Sequence, residues 1–227
     1  MTRLSHTYLY KPELVKGVFT MTRVARRTAG WLGIVFVILL FLSAGMITLP
    51  SSAQSPELIA AFYAENRWII IIAQLLGLIA APLFIAFSFG VQNSVSRIPA
   101  SNRIEAIGLA GIVVGIVSLL TALPVIVLAL TTYGLPFWVR LTDLSDAILF
   151  LAIAVFCAAA AIRGEYAPTW WRAVATLTSL FALVRSIAGF MGVTSFLDLA
   201  TPFAFIVFVL ATGIYFLLRT RGKSVDG

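Results

Sequence analysis

The residues of this sequence that could do chemistry are a few charged side chains beside or within long apolar runs. Arg185 lies inside the apolar run 173–193, and Asp146 lies near the start of another run. Charged groups in hydrocarbon are costly, so each needs a partner, a water-filled cavity or a route to the surface. An arginine and an aspartate that meet there would form a charge pair. Such a pair either fixes the register of two helices or gates a pathway for an ion.

The candidate site is predicted in the outer half of a membrane. With the N-terminus in the cytoplasm and a rise of 1.5 Å per residue, Arg185 stands about 20 Å and Asp146 about 25 Å above the inner boundary. Asp143 is one helical turn from Asp146 on the same face. The predicted cluster, with the polar groups that other segments bring to this level, is Arg185, Asp146, Asp143, Gln74, Arg67 and Asp198.

Most members of the cluster also have a purely structural interpretation, and the Gln74 amide could simply bond to a neighbouring backbone carbonyl. Asp143 and Asp146 follow Thr142 at a predicted helix start, where carboxylates favour the positive end of the helix dipole. Ser195 and Asp198 have the spacing of a capping pair. Arg185 could extend to lipid phosphates at the surface. The sequence therefore leaves open whether an Arg185–Asp146 pair is functional or architectural.

The remaining residue types argue against most membrane enzymes. His6, the one histidine, lies in the N-terminal tail, as do Lys11 and Lys16, and Lys223 lies in the C-terminal tail. No predicted span therefore offers a histidine pair for haem or metal, or a lysine or histidine to activate a serine. Cys157 is a single cysteine in an apolar run. We expect no catalytic residues, no cofactor and no metal, and we predict that the protein is not an enzyme.

Composition and charge place the chain in a membrane. Hydrophobic residues make up 61% of the sequence and charged residues 11%, with a mean hydropathy of +1.04. A soluble domain carries far more charge. The net charge of +7 comes from basic residues in alternate loops, which is typical of membrane topology signals rather than of nucleic-acid binding. The lipid bilayer is thus the expected partner, and nucleic acid is not.

Six apolar runs have the length that a hydrocarbon core of about 30 Å requires. A further helix is predicted between the first two runs, with Ser55 as its cap and Pro56 in its first position. Residues 12–27 show an apolar stripe opposite a basic one, which is typical of a helix lying on the membrane or of a solvated basic tail. The six runs are residues 29–49, 68–91, 104–131, 144–162, 173–193 and 199–218.

These elements predict an all-α, polytopic membrane protein. It would consist of a bundle of six transmembrane helices with an N-terminal amphipathic interfacial helix. The expected divisions are a cytoplasmic N-terminal segment (1–28), the transmembrane domain (29–219) and a cytoplasmic tail (220–227). Most of the 16 lysine and arginine residues fall on the side of the termini, which predicts that both termini are cytoplasmic.

Small residues in the third run predict close helix packing. Gly108, Gly111 and Gly115 recur at a spacing of three to four, which places them on one helix face. Such a stripe lets a neighbouring helix backbone approach closely. We expect the third run to be the central helix of the bundle.

The later part of the chain resembles a known kind of protein. The stretches LTDLSDAILFLAIAVF and PTWWRAVATLTSLFALVRSIAGF are similar to the later spans of uncharacterised bacterial six-helix membrane proteins that are classed as domains of unknown function. The resemblance covers residues 140 to 227 and depends on layout and a few polar positions. It implies a bacterial plasma membrane and transfers no catalytic residue.

Two functions follow as the main expectations, and an intramembrane enzyme stays as a third only because Asp143 and Asp146 face the same way. The first is a non-enzymatic accessory subunit of a membrane complex, or a sensor of a small ligand or lipid, with a polar pocket in the outer leaflet. Its partners would be other membrane protein subunits or a bound lipid. The alternative is a small transporter or ion pathway that uses Arg185 and Asp146 as a charge pair.

Overall fold

A computed structural model describes residues 12–50, 54–95, 105–131, 134–193 and 196–221. Residues 12–24 and 221 are described as backbone only. The described chain is helical, and six of its helices are long and apolar enough to cross a membrane, which confirms the predicted fold class. The helices are α1 (Pro12–Met46), α2 (Pro56–Glu65), α3 (Arg67–Val95), α4 (Ala106–Leu130), α5 (Leu135–Arg163), α6 (Thr169–Phe190) and α7 (Leu197–Arg221).

The basic N-terminal segment is helical but does not form a helix of its own. α1 runs from Pro12 to Met46 without a break, so the boundary expected near residue 28 is not a helix boundary. The apolar part of α1 that could cross a membrane is Ala25–Met46. No proline or glycine pair interrupts the chain near residue 28, so the backbone has no local reason to end the helix there.

The short helix α2 begins as its sequence predicts. Ser55 adopts an extended conformation and its hydroxyl accepts a hydrogen bond from the Leu58 N–H at 3.4 Å, while Pro56 takes the first helical position. Proline is favoured there because its missing N–H would have no partner within the helix. This start signal is confirmed.

The six long helices form a closed ring. α1 packs against α3 and α7, and the ring continues through α4, α5 and α6, each beside its neighbours in sequence. We call the end where α1 stops and α3 and α5 begin the α2 end, because α2 contacts α3, α4 and α5 there. The expectation that the third run is central was wrong, since α4 occupies a place in the ring between α3 and α5.

Phenylalanine side chains from four helices fill the middle of the ring. Phe84 of α3 has its ring centroid 5.0 Å from that of Phe36, 5.0 Å from that of Phe156 and 5.5 Å from that of Phe205. Phe36, Phe156 and Phe205 come from α1, α5 and α7. Aromatic pairs at tilted or edge-on angles stabilise a core beyond the area that they bury. We call these four residues the phenylalanine cluster.

The glycines of α4 lie against α3. A Cβ added at Gly111 would overlap the Ser88 side chain, one at Gly115 would meet Ile85, and one at Gly108 would meet Gln92. The backbones of α3 and α4 therefore approach so closely that no larger residue fits without a shift.

Two serine hydroxyl groups, one buried and one partly buried, connect α5 and α6. Ser179 donates a hydrogen bond to the Ala154 carbonyl and Ser186 donates one to the Ala147 carbonyl, both at 2.8 Å. The two serines are one heptad apart, as are the two carbonyls, so the same contact repeats along the interface. Hydrogen bonds of this kind stabilise contacts between helices in a membrane, where burial of apolar surface contributes little to helix association.

A side chain from a neighbouring helix caps the start of α4. The Gln92 Oε1 atom accepts hydrogen bonds from the Glu105 N–H at 3.2 Å and from the Gly108 N–H at 2.9 Å. The first turn of a helix has N–H groups without partners in the helix, and Gln92 satisfies one of them at Gly108.

The outer surface of the ring is apolar. Large hydrophobic side chains on every long helix are exposed, including Ile38, Leu75, Leu120, Val155 and Leu183. A surface of this kind is suited to lipid rather than water.

Candidate functional site

A cavity of about 340 Å³ lies inside the ring, between the phenylalanine cluster and the α2 end. Residues of α1, α3, α4, α5 and α7 line it, and none of α6 does. Phe36, Phe84 and Phe205 form its floor, because the remaining lining residues lie mostly nearer the α2 end of their helices. We call this space the central cavity.

Three of the polar side chains that line the central cavity are already satisfied by the protein. The Ser43 hydroxyl donates to the Ala73 carbonyl at 2.8 Å and so joins α1 to α3. Ser118 donates to the Val114 carbonyl at 2.8 Å, and Thr121 donates to the Ser118 carbonyl at 2.9 Å. All three hydroxyl protons are donated to backbone carbonyls, so these residues are weak candidates for donating a hydrogen bond to a ligand.

The other two polar side chains of the cavity are Gln74 and Asp146. Both are only partly exposed, and neither has a hydrogen bond or an ion pair with any part of the chain that the structure describes. Polar groups inside proteins almost always have partners. An amide and a carboxylate that face the same recessed space therefore need water or a ligand to satisfy them.

Asp146 lies farther from the start of its helix than its sequence context predicts. α5 begins at Leu135, after Gly134 in a left-handed conformation (φ 68°), so Asp146 follows eleven residues of helix. That is about 16 Å from the helix start. The prediction that Asp146 lies in the first turn or two of a helix, where the helix dipole would stabilise it, was wrong. Arg140 and Asp143 lower the hydropathy of the first turns, which concealed the true start of the helix.

Arg185 forms its ion pair with Asp198, and not directly with Asp146. The Arg185 Nε lies 2.6 Å from the Asp198 Oδ1, and both atoms are shielded from solvent. Asp198 is in the first turn of α7, which packs beside α6. Arg185 also lies close enough to Asp146 for their charges to interact. The predicted direct pair is replaced by a pair between α6 and α7, next to the cavity carboxylate.

The Arg185 side chain is directed between helices rather than toward lipid. Its guanidinium carbon lies 5.2 Å from the centre of the Phe150 ring, within the range of a cation–π contact. Its Nη1 atom passes over Gly189, where an added Cβ would meet it at 2.8 Å, and the same Cβ would meet Ala147 at 3.0 Å. Phe150 also lines the central cavity, whereas Arg185 does not.

Two predicted members of the cluster lie away from the cavity. Arg67 is exposed and donates a hydrogen bond to the Leu130 carbonyl at 3.0 Å, at the C-terminal end of α4. A positive charge is favourable there because the carbonyls at a helix end carry partial negative charge. Asp143 is one turn nearer the α2 end than Asp146 and does not line the cavity. Of the predicted cluster, only Gln74 and Asp146 line the cavity.

Tyr63 is a neighbour of this site that the sequence interpretation missed. It is buried where α2 packs against α4 and α5, beside Val125 and Val139. Burial, together with the negative charges of Asp146 and Asp143, raises the pKa of Tyr63 to about 12. The available signal was the four-residue spacing of Ile59 and Tyr63, which places both on one face of α2.

Within the described ranges, no group of three or more histidine, cysteine or acidic side chains could hold a metal ion. Cys157 is buried. Comparison of the chain with family models, with curated proteins and with solved structures finds no match. The geometry of the cavity is therefore the main guide to function.

Proposed function

We propose that this protein is a non-enzymatic integral membrane protein that binds a small ligand in the central cavity. It would act as a sensor or as the ligand-binding accessory subunit of a membrane complex. The observation that carries the proposal is the pairing of Gln74 with Asp146. Both face the same partly open space, and neither has a direct hydrogen bond or ion pair within the described residues. A few polar groups on a mostly apolar wall are what small-ligand sites usually offer.

The site lacks the features of an intramembrane enzyme. Among the described lining residues, no serine or threonine lies beside a histidine or lysine that could activate it, and Asp146 is the one carboxylate. Binding without chemistry needs nothing more than the amide, the carboxylate and the aromatic floor. These residues support a binding role rather than a catalytic one.

The distribution of charge supports an orientation. Arg26, Arg163, Arg172 and Arg219 lie at the end of the ring opposite the α2 end, where the positive-inside tendency would place the cytoplasm. In that orientation both termini are cytoplasmic and the central cavity lies in the outer half of the membrane. Together with the resemblance of residues 140–227 to bacterial membrane proteins, this orientation favours the plasma membrane of a bacterium as the location.

The proposal can be tested by filling the cavity. Gly77 lines it, and a Cβ added there would meet only the Ser43 Oγ atom, at 3.8 Å, so Gly77→Leu should project into the space. Gly45→Leu is the matched control, because a Cβ at Gly45 has nothing within 4 Å and Gly45 does not line the cavity. Native mass spectrometry of protein extracted from its own membrane should show a bound small molecule in the wild type and in Gly45→Leu.

The same measurement should show that Gly77→Leu has lost the bound molecule. If the wild type carries none, or if both variants retain it equally, ligand binding in the cavity is refuted.

A second function is a small transporter or ion pathway. It is favoured by the phenylalanine cluster, which closes the cavity on one side, and by the group of Arg185, Asp198 and Asp146 beside it. A carrier would open toward the opposite end when the cluster separates. Flux measurements in reconstituted vesicles test this function. Unchanged ion and solute fluxes in Arg185→Gln and Asp146→Asn would exclude it.

A further inference from the structure

The charge that faces the central cavity is negative. Among the described lining residues, Asp146 is the only ionisable side chain. Arg185, whose charge interacts with that of Asp146, does not line the cavity, and its Nε already lies 2.6 Å from the Asp198 Oδ1. A carboxylate in a recessed, largely apolar space is stabilised by a positive partner. The cavity thus offers a place for a cation.

The walls of the cavity are suited to the rest of such a ligand. Phe36, Phe84 and Phe205 form the floor, and Phe150 stands beside Asp146 on α5. Aromatic faces attract organic cations and also contact apolar groups. The Gln74 amide adds a carbonyl oxygen that can accept a hydrogen bond from an ammonium group.

The volume limits the size of the ligand. A cavity of about 340 Å³ lies at the lower end of the range for small-molecule sites, about 300–1,000 Å³. It has room for one aromatic ring with a short amine chain, and it is too small for a phospholipid. An anion would face the Asp146 carboxylate without a cation at the cavity wall.

We propose that the ligand is a small organic cation, an ammonium group on an apolar body, which contacts Asp146 and Gln74 through its charge and the phenylalanine floor through its body. The inference rests on the proposed function, because it names the class of ligand for the same cavity. It distinguishes this site from one for lipids, neutral solutes or anions.

Three soluble probes of similar size and different charge can test the proposal. They are 2-phenylethylammonium (cation), 2-phenylethanol (neutral) and 3-phenylpropanoate (anion). Calorimetric titration of the full chain in lipid nanodiscs should show that the cation binds about tenfold or more tightly than the other two. Asp146→Asn should remove this preference, because it replaces the carboxylate by a neutral group of the same shape.

Control variants distinguish the effect of the Asp146 charge from the effect of the cavity space. Asp143→Asn removes a carboxylate one turn away that does not line the cavity, so it should keep the preference for the cation. Gly77→Leu should abolish binding of every probe, and Gly45→Leu should not. Gly77→Ala is the milder variant if Gly77→Leu folds poorly, and it should weaken binding.

The outcomes distinguish this inference from the proposed function. If the neutral probe binds as tightly as the cation, or Asp146→Asn leaves the preference unchanged, while Gly77→Leu abolishes binding, the cation is refuted and the cavity remains a ligand site. If the cation binds to Gly77→Leu and Gly77→Ala as tightly as to the wild type, both proposals are wrong. If no probe binds at millimolar concentration, the inference is overturned, and the mass-spectrometric test alone decides the proposed function.

Discussion

Arg185 of α6 and Asp198 of α7 are joined by an ion pair of 2.6 Å beside the central cavity. The arginine thereby has its charge balanced by a residue that does not line the cavity, which leaves Asp146 facing the space without a direct ion pair to the described chain. In the proposed function, Asp198 therefore belongs to an ion pair between helices, and Asp146 is the carboxylate that would contact a ligand.

Removing one partner of the ion pair should destabilise the protein. The two side chains are 16% and 36% exposed, so the loss should fall between the values for surface and buried pairs, about 1–3 kcal/mol for Arg185→Gln or Asp198→Asn. The double variant should recover part of the loss, because no charge is then left alone. Denaturant titration in mixed micelles measures the free energy of unfolding, and the coupling of Arg185 should be larger with Asp198 than with Asp146.

Gln92 should stabilise the start of α4 through its side-chain oxygen. Gln92→Met removes the acceptor for the N–H groups of Glu105 and Gly108, and we expect a loss of about 1–2 kcal/mol in the free energy of unfolding. Gln92→Glu keeps the acceptor and places a negative charge near a helix N-terminus, so it should be tolerated better. Equal stability of the two variants in thermal denaturation would contradict the capping role.

The contact of Gly111 with Ser88 should tolerate no larger side chain. Gly111→Val would force α3 and α4 apart, and we expect a loss of about 1–3 kcal/mol in the free energy of unfolding. Gly45→Val is the control, since a Cβ at Gly45 meets nothing within 4 Å. Thermal stability in detergent should fall for the first variant and change little for the second, and similar values would show that the α3–α4 contact is not tight.

Tyr63 should make the packing of α2 sensitive to alkaline pH. Its pKa rises from 10.0 to about 12 in the folded chain, so the stability that it contributes is present below pH 10 and is lost as the pH rises toward 12. Tyr63→Phe should remove this part of the pH dependence. Absorbance titration of tyrosinate should show a late-titrating group that is absent from Tyr63→Phe and that titrates earlier in Asp146→Asn.

Much of the fold could be predicted because apolar length and turn residues act locally. The six spans and the start of α2 at Ser55 and Pro56 depend on hydropathy and on a cap, which neighbouring residues specify. The start of α5 could not be placed in this way. Arg140 and Asp143 make its first turns resemble a loop, although the helix begins at Leu135.

The sequence by itself determined six helices that are long and apolar enough to cross a membrane. It also singled out Arg185, Asp146 and Gln74, because a polar group in an apolar run is visible without any contact. Only the tertiary structure decided their partners and positions. Closing the helices into a ring placed Asp198 beside Arg185 and turned Gln74 and Asp146 toward one cavity. Partners on different helices depend on how the helices rotate and slide against each other, and that is set by packing over the whole interface rather than by spacing along one segment.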